Sequence, residues 1–319
     1  MIYKERRPFS INETVNLFGV PETMLQTVYA RAKETRTRGA IHDDKAVELV
    51  EKLHYDFSLA DKDAAMSSGV IARTIVLDHL VQDYLAAHSG AVVVNIACGL
   101  DTRCYRMQGY THWYNLDLPE TINVRARLLP ESGAISQIAQ SAMEDWSGEI
   151  AEKNAPALVI MEELTVYLTQ TDVQQIFAVI AKCFGKATVF VEIMNPSVVK
   201  HMKEKSIEGS HAKFIWGVRG GAELQALLPG FTCTGEHCLV EGMAEFMLIY
   251  KVLGKLPAAR SISIMILRHY RNRSSPCFCD RMGQLQAMYK LPAVPFLLCF
   301  RSFPAMQYKI QHDLCYYLL

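Results

Sequence analysis

Polar and apolar positions change their rhythm twice along this chain. Between residues 9 and 89 they recur at helical spacing with short breaks, and Asn12, Thr23 and Asp43 stand as candidate helix caps. The longest such stretch, Met66 to Ala87, places Arg73, Leu77, Leu80 and Tyr84 at i, i+4, i+7 and i+11, on one stripe. Beyond residue 90, short unbroken apolar runs take over at Ala91–Val94 and at ALVIM, 157–161, and ATVFVEI at 187–193 reads as a further strand. Unbroken runs bounded by turn residues read as parallel strands buried on both faces. HWYNLDLPE, ending a strand at Asp117, and a short strand at 134–140 fit between them, with helices over 119–129 and 170–183. Phe231–Cys238 and Met243–Val252 are expected to pair as a closing antiparallel hairpin around Glu241 and Gly242. The whole predicts an α/β fold with a Rossmann-like, mostly parallel sheet, preceded by a helical lead-in. It divides as 1–89 lead-in or cap, 90–272 α/β core and 273–319 tail.

The turn after the first strand narrows the chemistry. Ala97, Cys98 and Gly99 are small enough for a second molecule to approach the backbone, and Asp101 and Thr102 stand where a helix begins. Asp117 follows eighteen residues past Gly99, at the carboxyl end of the next strand, and Pro119 opens the helix after it. Strand, small turn, helix, strand and acid form the unit that binds an adenosine ribose through its hydroxyls. A dinucleotide also needs G-x-G-x-x-G to seat its pyrophosphate on bare amides. Here the run is A-C-G-L-D-T, and Asp101 would repel a phosphate at that helix start. A ligand with ribose and adenine but no phosphate fits, and S-adenosylmethionine is the common one. A nicotinamide oxidoreductase on the same topology is disfavoured.

Charge adds two residues. Arg73 lies on an apolar stripe, and the positions three and four away, Gly69, Val70, Val76 and Leu77, offer no acid. An inward arginine therefore needs an anion from elsewhere: a ligand carboxylate, or a distant Asp or Glu. Glu162 is delivered by the 157–161 strand to the sheet's carboxyl edge, as a ligand group or as an acid at a helix start.

These segments resemble a known family. VVNIACGLDTR, WYNLDLPE and EELTVYLT, with YARAKETR at 29–36 and IHDDKA at 41–46, are similar to the leucine carboxyl methyltransferases, and more closely to their polyketide-type O-methyltransferase branch. The resemblance spans about residues 20–272 and implies a class I, S-adenosylmethionine-dependent methyltransferase acting on a carboxyl or hydroxyl group of a small molecule. It implies that Ala97 and Gly99 approach the cofactor, Asp117 holds the ribose, Arg73 the methionine carboxylate and Glu162 the ammonium. Glu144 or Asp145, one residue apart in register, would reach the adenine amino group. Ala97 and Glu163 stand where the family pattern has glycine, and a cofactor binder that has lost turnover is the alternative these departures raise. No catalytic side chain is implied; Tyr167 reads as core and Cys98 as a small packing residue.

Composition sets the remaining bounds. The 319 residues are 50 % hydrophobic, enough for a large core, and 33 basic residues balance 33 acidic ones. No net positive field favours nucleic acid or an anionic membrane surface. The start, MIYKERRPFS, lacks the apolar run of a signal peptide, so a cytoplasmic location is expected. The nine cysteines are irregularly spaced, as reduced thiols are. In the tail, Cys277, Cys279, Cys299, His312 and Cys315 lack the paired spacing of a zinc site, and no metal is expected. Oligomeric state is not legible.

Overall fold

The computed structural model describes residues 20–201, 213–253 and 262–270. The chain parts into two compact units, Met1–Arg271 and Asn272–Leu319. Every described residue belongs to the first, so the cysteines and His312 of the tail, like Asn12, lie outside the description.

Seven strands form one sheet: β1 (Ala91–Ile96), β2 (Tyr110–Asp117), β3 (Ile135–Ala139), β4 (Ala157–Met161), β5 (Lys186–Met194), β6 (Phe231–Cys238) and β7 (Ile262–Tyr270). Their order is β3-β2-β1-β4-β5-β7-β6. The first five are parallel, in register from Ile96 opposite Leu116 on one side to Ile96 opposite Met161 on the other. β7 runs antiparallel between β5 and β6. The chain leaves β1 toward β2 and β3, then returns to lay β4 and β5 on its other side. The gap between β1 and β4 is thus the topological switch point, where the carboxyl ends of α/β strands leave a crevice.

The continuous apolar runs are explained by burial on both faces. Val92, Val94 and Ile96 belong to the core layer that holds Trp146, Phe177 and Phe184, whereas Ala91 and Val93 belong to the layer that holds Leu77, Tyr84 and Trp113. Two helices supply much of this cover: α4 (Ala64–Ala87) in the second layer and α7 (Gln170–Cys183) in the first. α7 starts with a capping box between Thr169 and Asp172. The lead-in helices α1 (Val20–Arg36) and α2 (Asp44–Lys52) pack a third cluster in which Met24, Leu25, Val28 and Leu49 meet Leu100 and Leu128, while α3 (Ser58–Lys62) sets Ala60 beside Ala30, Met66 and Val70. Asp43 caps α2 as expected, accepting from the Ala46 amide at 3.0 Å, but Thr23 lies inside α1 and is no cap. α5 (Arg103–Arg106) follows the β1 turn, and α6 (Pro119–Leu128) follows Asp117. α8 (Pro196–His201) and α9 (Gly221–Leu227) connect β5 to β6.

The expected hairpin is corrected. β6 pairs with β7, and residues 239–246 form helix α10 (Leu239–Phe246), followed by α11 (Tyr250–Leu253). Glu241 accepts from the Cys238 amide to close a cap, and Leu239, Met243 and Phe246 recur at helical spacing against the α4 layer. Gly242 lies so close to α4 that a Cβ there would stand 2.2 Å from the Ala72 carbonyl oxygen.

Candidate active site

A cavity opens at the carboxyl ends of β1, β2 and β4, lined by Asn95, the Ala97–Asp101 turn, Leu116–Leu118, Ser141–Met143 and Glu162–Leu164, with Met24, Thr27 and Arg31 of α1 as a further wall. Its volume of about 240 Å³ compares with about 40 Å³ for a neighbouring cavity on the α4 side. On that measure a water needs roughly 10–15 Å³, so the larger space alone suits an organic ligand.

The turn is fixed from both sides. The Gly99 amide donates to Asp117 Oδ2 at 2.8 Å and the Leu118 amide to Oδ1 at 2.7 Å, so backbone orients the carboxylate while each oxygen keeps further acceptor capacity. Burial pushes the Asp117 carboxyl above its ordinary range, against these donors. Arg125, fully buried, donates to the Gly99 carbonyl at 2.9 Å and to Glu131 at 2.5 Å, and Arg31 donates to the Leu100 carbonyl at 3.2 Å. Gly99 adopts φ of 47°, and a Cβ there would meet Met24 Cβ at 3.0 Å. Cys98 is buried beneath the turn, and desolvation raises its thiol far above the range in which a thiolate forms. It packs, as the sequence suggested.

The residues expected to hold a ligand fall into three groups. Ala97, Gly99, Asp117 and Glu162 share the cavity wall. Glu144 and Asp145 do not line it: both are exposed, and the wall beyond β3 is made instead by Ser141, Ala142 and Met143. Asp145 caps the 3₁₀ turn at Trp146 by accepting from Ser147 and pairs with Lys182, contacts that hold its carboxyl down at about 2. Arg73 is also absent from the cavity wall. It is 6 % exposed and lines the small neighbouring cavity, with Nε 2.8 Å from Glu192 and Nη1 2.5 Å from Glu163. Of the two anion sources open to it, the structure holds the distant acids.

This architecture is that of known methyltransferases. A candidate methyltransferase from Thermobifida fusca, solved as a crystal structure, superposes with a TM-score of 0.51 at 12 % identity, over 76 % of this chain and 94 % of its own, which speaks to the fold alone. The leucine carboxyl methyltransferase family matches residues 24–181. The tetracenomycin polyketide synthesis O-methyltransferase TcmP of Streptomyces glaucescens is 34 % identical over 228 residues, covering 69 % of this chain and 83 % of that protein. The chain belongs to the leucine carboxyl methyltransferase family. An S-adenosyl-L-methionine-dependent methyltransferase of Gibberella zeae, 27 % identical over 241 residues, agrees, with 68 % and 81 % covered. The protein is accordingly a class I methyltransferase, and S-adenosylmethionine is its cofactor.

Within that family two positions stand apart here. Among the described residues, the non-glycine residues with positive φ are Ala97 at 54° and Glu163 at 51°. They are the two positions where, by the resemblance read from the sequence, the family pattern has glycine and this chain does not. The backbone has kept the left-handed turn that glycine adopts freely, and an L-residue holds it at about 1–2 kcal/mol each.

The rest of the site is a buried ion network that spacing alone does not reveal. Arg103, 1 % exposed, bonds Asp78 at 2.7 Å, Asp101 at 2.7 Å and Glu162 at 3.0 Å. Against the effect of burial, Arg103, with Arg106, Arg31 and Arg125 beyond it, holds the Asp101 carboxyl well below its ordinary range. Asp43 accepts from Arg31 at 3.0 Å and from the Thr102 hydroxyl at 2.6 Å, tying α1 and α2 to the turn. Behind the cavity, burial outweighs Arg73 and pushes the Glu192 carboxyl up to about 7, with Glu163 and Glu162 adding repulsion. Arg31, Arg103 and Glu192 were missed because each is buried by a partner from another element: Asp43 for Arg31, Asp78 and Glu162 for Arg103, and Arg73 for Glu192. The available signal was that Arg31 sits in YARAKETR and Arg103 in VVNIACGLDTR, the segments that carry the family resemblance.

Proposed function

We propose that this methyltransferase transfers its methyl group to a carboxyl or hydroxyl oxygen of a small, largely apolar molecule of polyketide type. The observation that carries this reading is the cavity wall itself. Met24, Leu100, Leu118, Met143, Leu164 and Leu168 make it predominantly apolar, and none of the described residues lining it is histidine or lysine. A carboxylate is already ionised at neutral pH and needs no base, whereas a phenol profits from one, so matched acid and phenol substrates separate the two arms. The name of TcmP supports the class of molecule.

The donor set fits the cofactor. Asp117, oriented by two amides, would accept from the ribose hydroxyls; the Ala97–Gly99 backbone would lie against the nucleoside; Glu162, on the same wall, would take the ammonium. The cofactor brings the activated methyl group on its sulfonium. The chain's own residues bind, orient and exclude water: Leu118 and Met143, 42 % and 37 % exposed, present apolar surface at the cavity that an organic ligand would cover.

The test is to incubate the protein with methyl-labelled S-adenosylmethionine and ring-matched pairs of aromatic acids and phenols. Label that alkali releases as methanol marks an ester, and label that resists alkali marks an ether. If neither accepts label while the cofactor is bound, the oxygen-acceptor reading fails.

A further inference from the structure

One side chain separates the large cavity from Arg73. Glu163, together with Thr23 and Thr27, lines both spaces, and its carboxylate lies 17 % exposed with Oε2 on Arg73 Nη1 at 2.5 Å. Arg73 is held from behind by Glu192, which also accepts from the Glu163 amide at 2.8 Å. The Glu163 backbone is thus anchored in its left-handed turn while the side chain reaches across the guanidinium.

The other arginines near the cavity are arranged differently. Arg31 spends its donors on Asp43 and the Leu100 carbonyl, both part of the scaffold of the turn. Arg103 already carries Asp78, Asp101 and Glu162. Arg73 alone of these three has its cavity-side edge covered by a single partly exposed carboxylate.

We propose that Glu163 is an internal competitor for a ligand's carboxylate group, its own carboxylate occupying the edge of Arg73 that the carboxylate of the cofactor's methionine tail would otherwise take. This rests on the reading of the Ala97–Asp117 cavity as the cofactor site. Without displacement of Glu163, a third carboxylate would crowd one guanidinium that already serves two, which like-charge repulsion disfavours. Glu163 therefore weakens ligands whose tail must place a carboxylate on Arg73 and leaves tail-less nucleosides untouched.

Calorimetry on the full chain tests it with S-adenosylhomocysteine, which has the amino-acid tail, and 5′-methylthioadenosine, which lacks it. Glu163→Gly should tighten S-adenosylhomocysteine by about tenfold or more and move methylthioadenosine by less than about twofold. Glu163→Gln, which keeps the size and the backbone strain but drops the charge, should act in the same direction. Equal gains for both ligands would assign the effect to backbone relaxation and overturn the proposal. Weaker S-adenosylhomocysteine in the Gln variant would overturn it too, by making Glu163 a partner of the tail. Failure of both ligands to bind the wild-type chain and either variant would instead remove the cavity assignment, and the proposal with it.

Discussion

The two ends of the candidate cofactor site are built on different principles. At the ribose end one carboxylate, Asp117, is set by two backbone amides, and the turn that carries them is pinned through its own carbonyls by Arg125 and Arg31. At the tail end side-chain ion pairs dominate: Arg73 binds Glu163 and Glu192, and Arg103 binds Asp78, Asp101 and Glu162. The first is preorganised by short-range backbone geometry and does not depend on ligand. The second is a balance of buried charges in which each partner's removal exposes another. Affinity and stability should therefore separate at the ribose end and be entangled at the tail end.

The largest effect is expected from Arg73→Leu. An apolar side chain suits the stripe of α4, yet it strands Glu192 without its cation, and breaking a buried pair costs about 3–5 kcal/mol. Glu192 can soften this by taking up a proton. Its carboxyl already sits at about 7 in the folded chain, above its ordinary value, so the native state binds the extra proton and stability falls as pH rises toward 7. In the variant that decline should extend to higher pH, so urea unfolding should show a greater deficit at pH 8 than at pH 6. A deficit that does not grow with pH would mean that Glu192 is not the stranded partner.

Asp117→Ala probes the other end. Two charge-assisted hydrogen bonds to the ribose, worth roughly 1.5–3 kcal/mol each, should be lost, weakening S-adenosylhomocysteine at least tenfold while the protein stays folded. Calorimetry beside a thermal melt checks both halves; unchanged affinity would remove Asp117 from the ribose.

The smallest effect isolates the turn. Ala97→Gly relieves a left-handed alanine at about 1–2 kcal/mol and gives back about 0.4–1 kcal/mol as unfolded-state entropy, for a net gain between about 0 and 1.6 kcal/mol. A loss of stability on denaturant unfolding would show that Ala97 is held there by packing that outweighs its strain.

By itself the sequence placed the parallel strands and the helices between them, because β1 and β4, buried on both faces, read as apolar runs and the alternation of strand with helical spacing marks the rest. It also placed Gly99, Asp117 and Glu162 on one wall, since strands that run parallel bring their carboxyl ends to one edge. What it could not decide was side-chain charge pairing across large sequence separations. Arg73 meets Glu192 only because α4 crosses β5, 119 residues later, and Asp43 meets Thr102 only because the lead-in folds back over the turn. The β6–β7 pairing was likewise settled by tertiary contact, where Gly242 brings α10 against Ala72 and leaves β7 to fill the sheet. Local periodicity is written in neighbouring residues, whereas the partner of a buried charge is chosen by whichever element the finished fold packs against it.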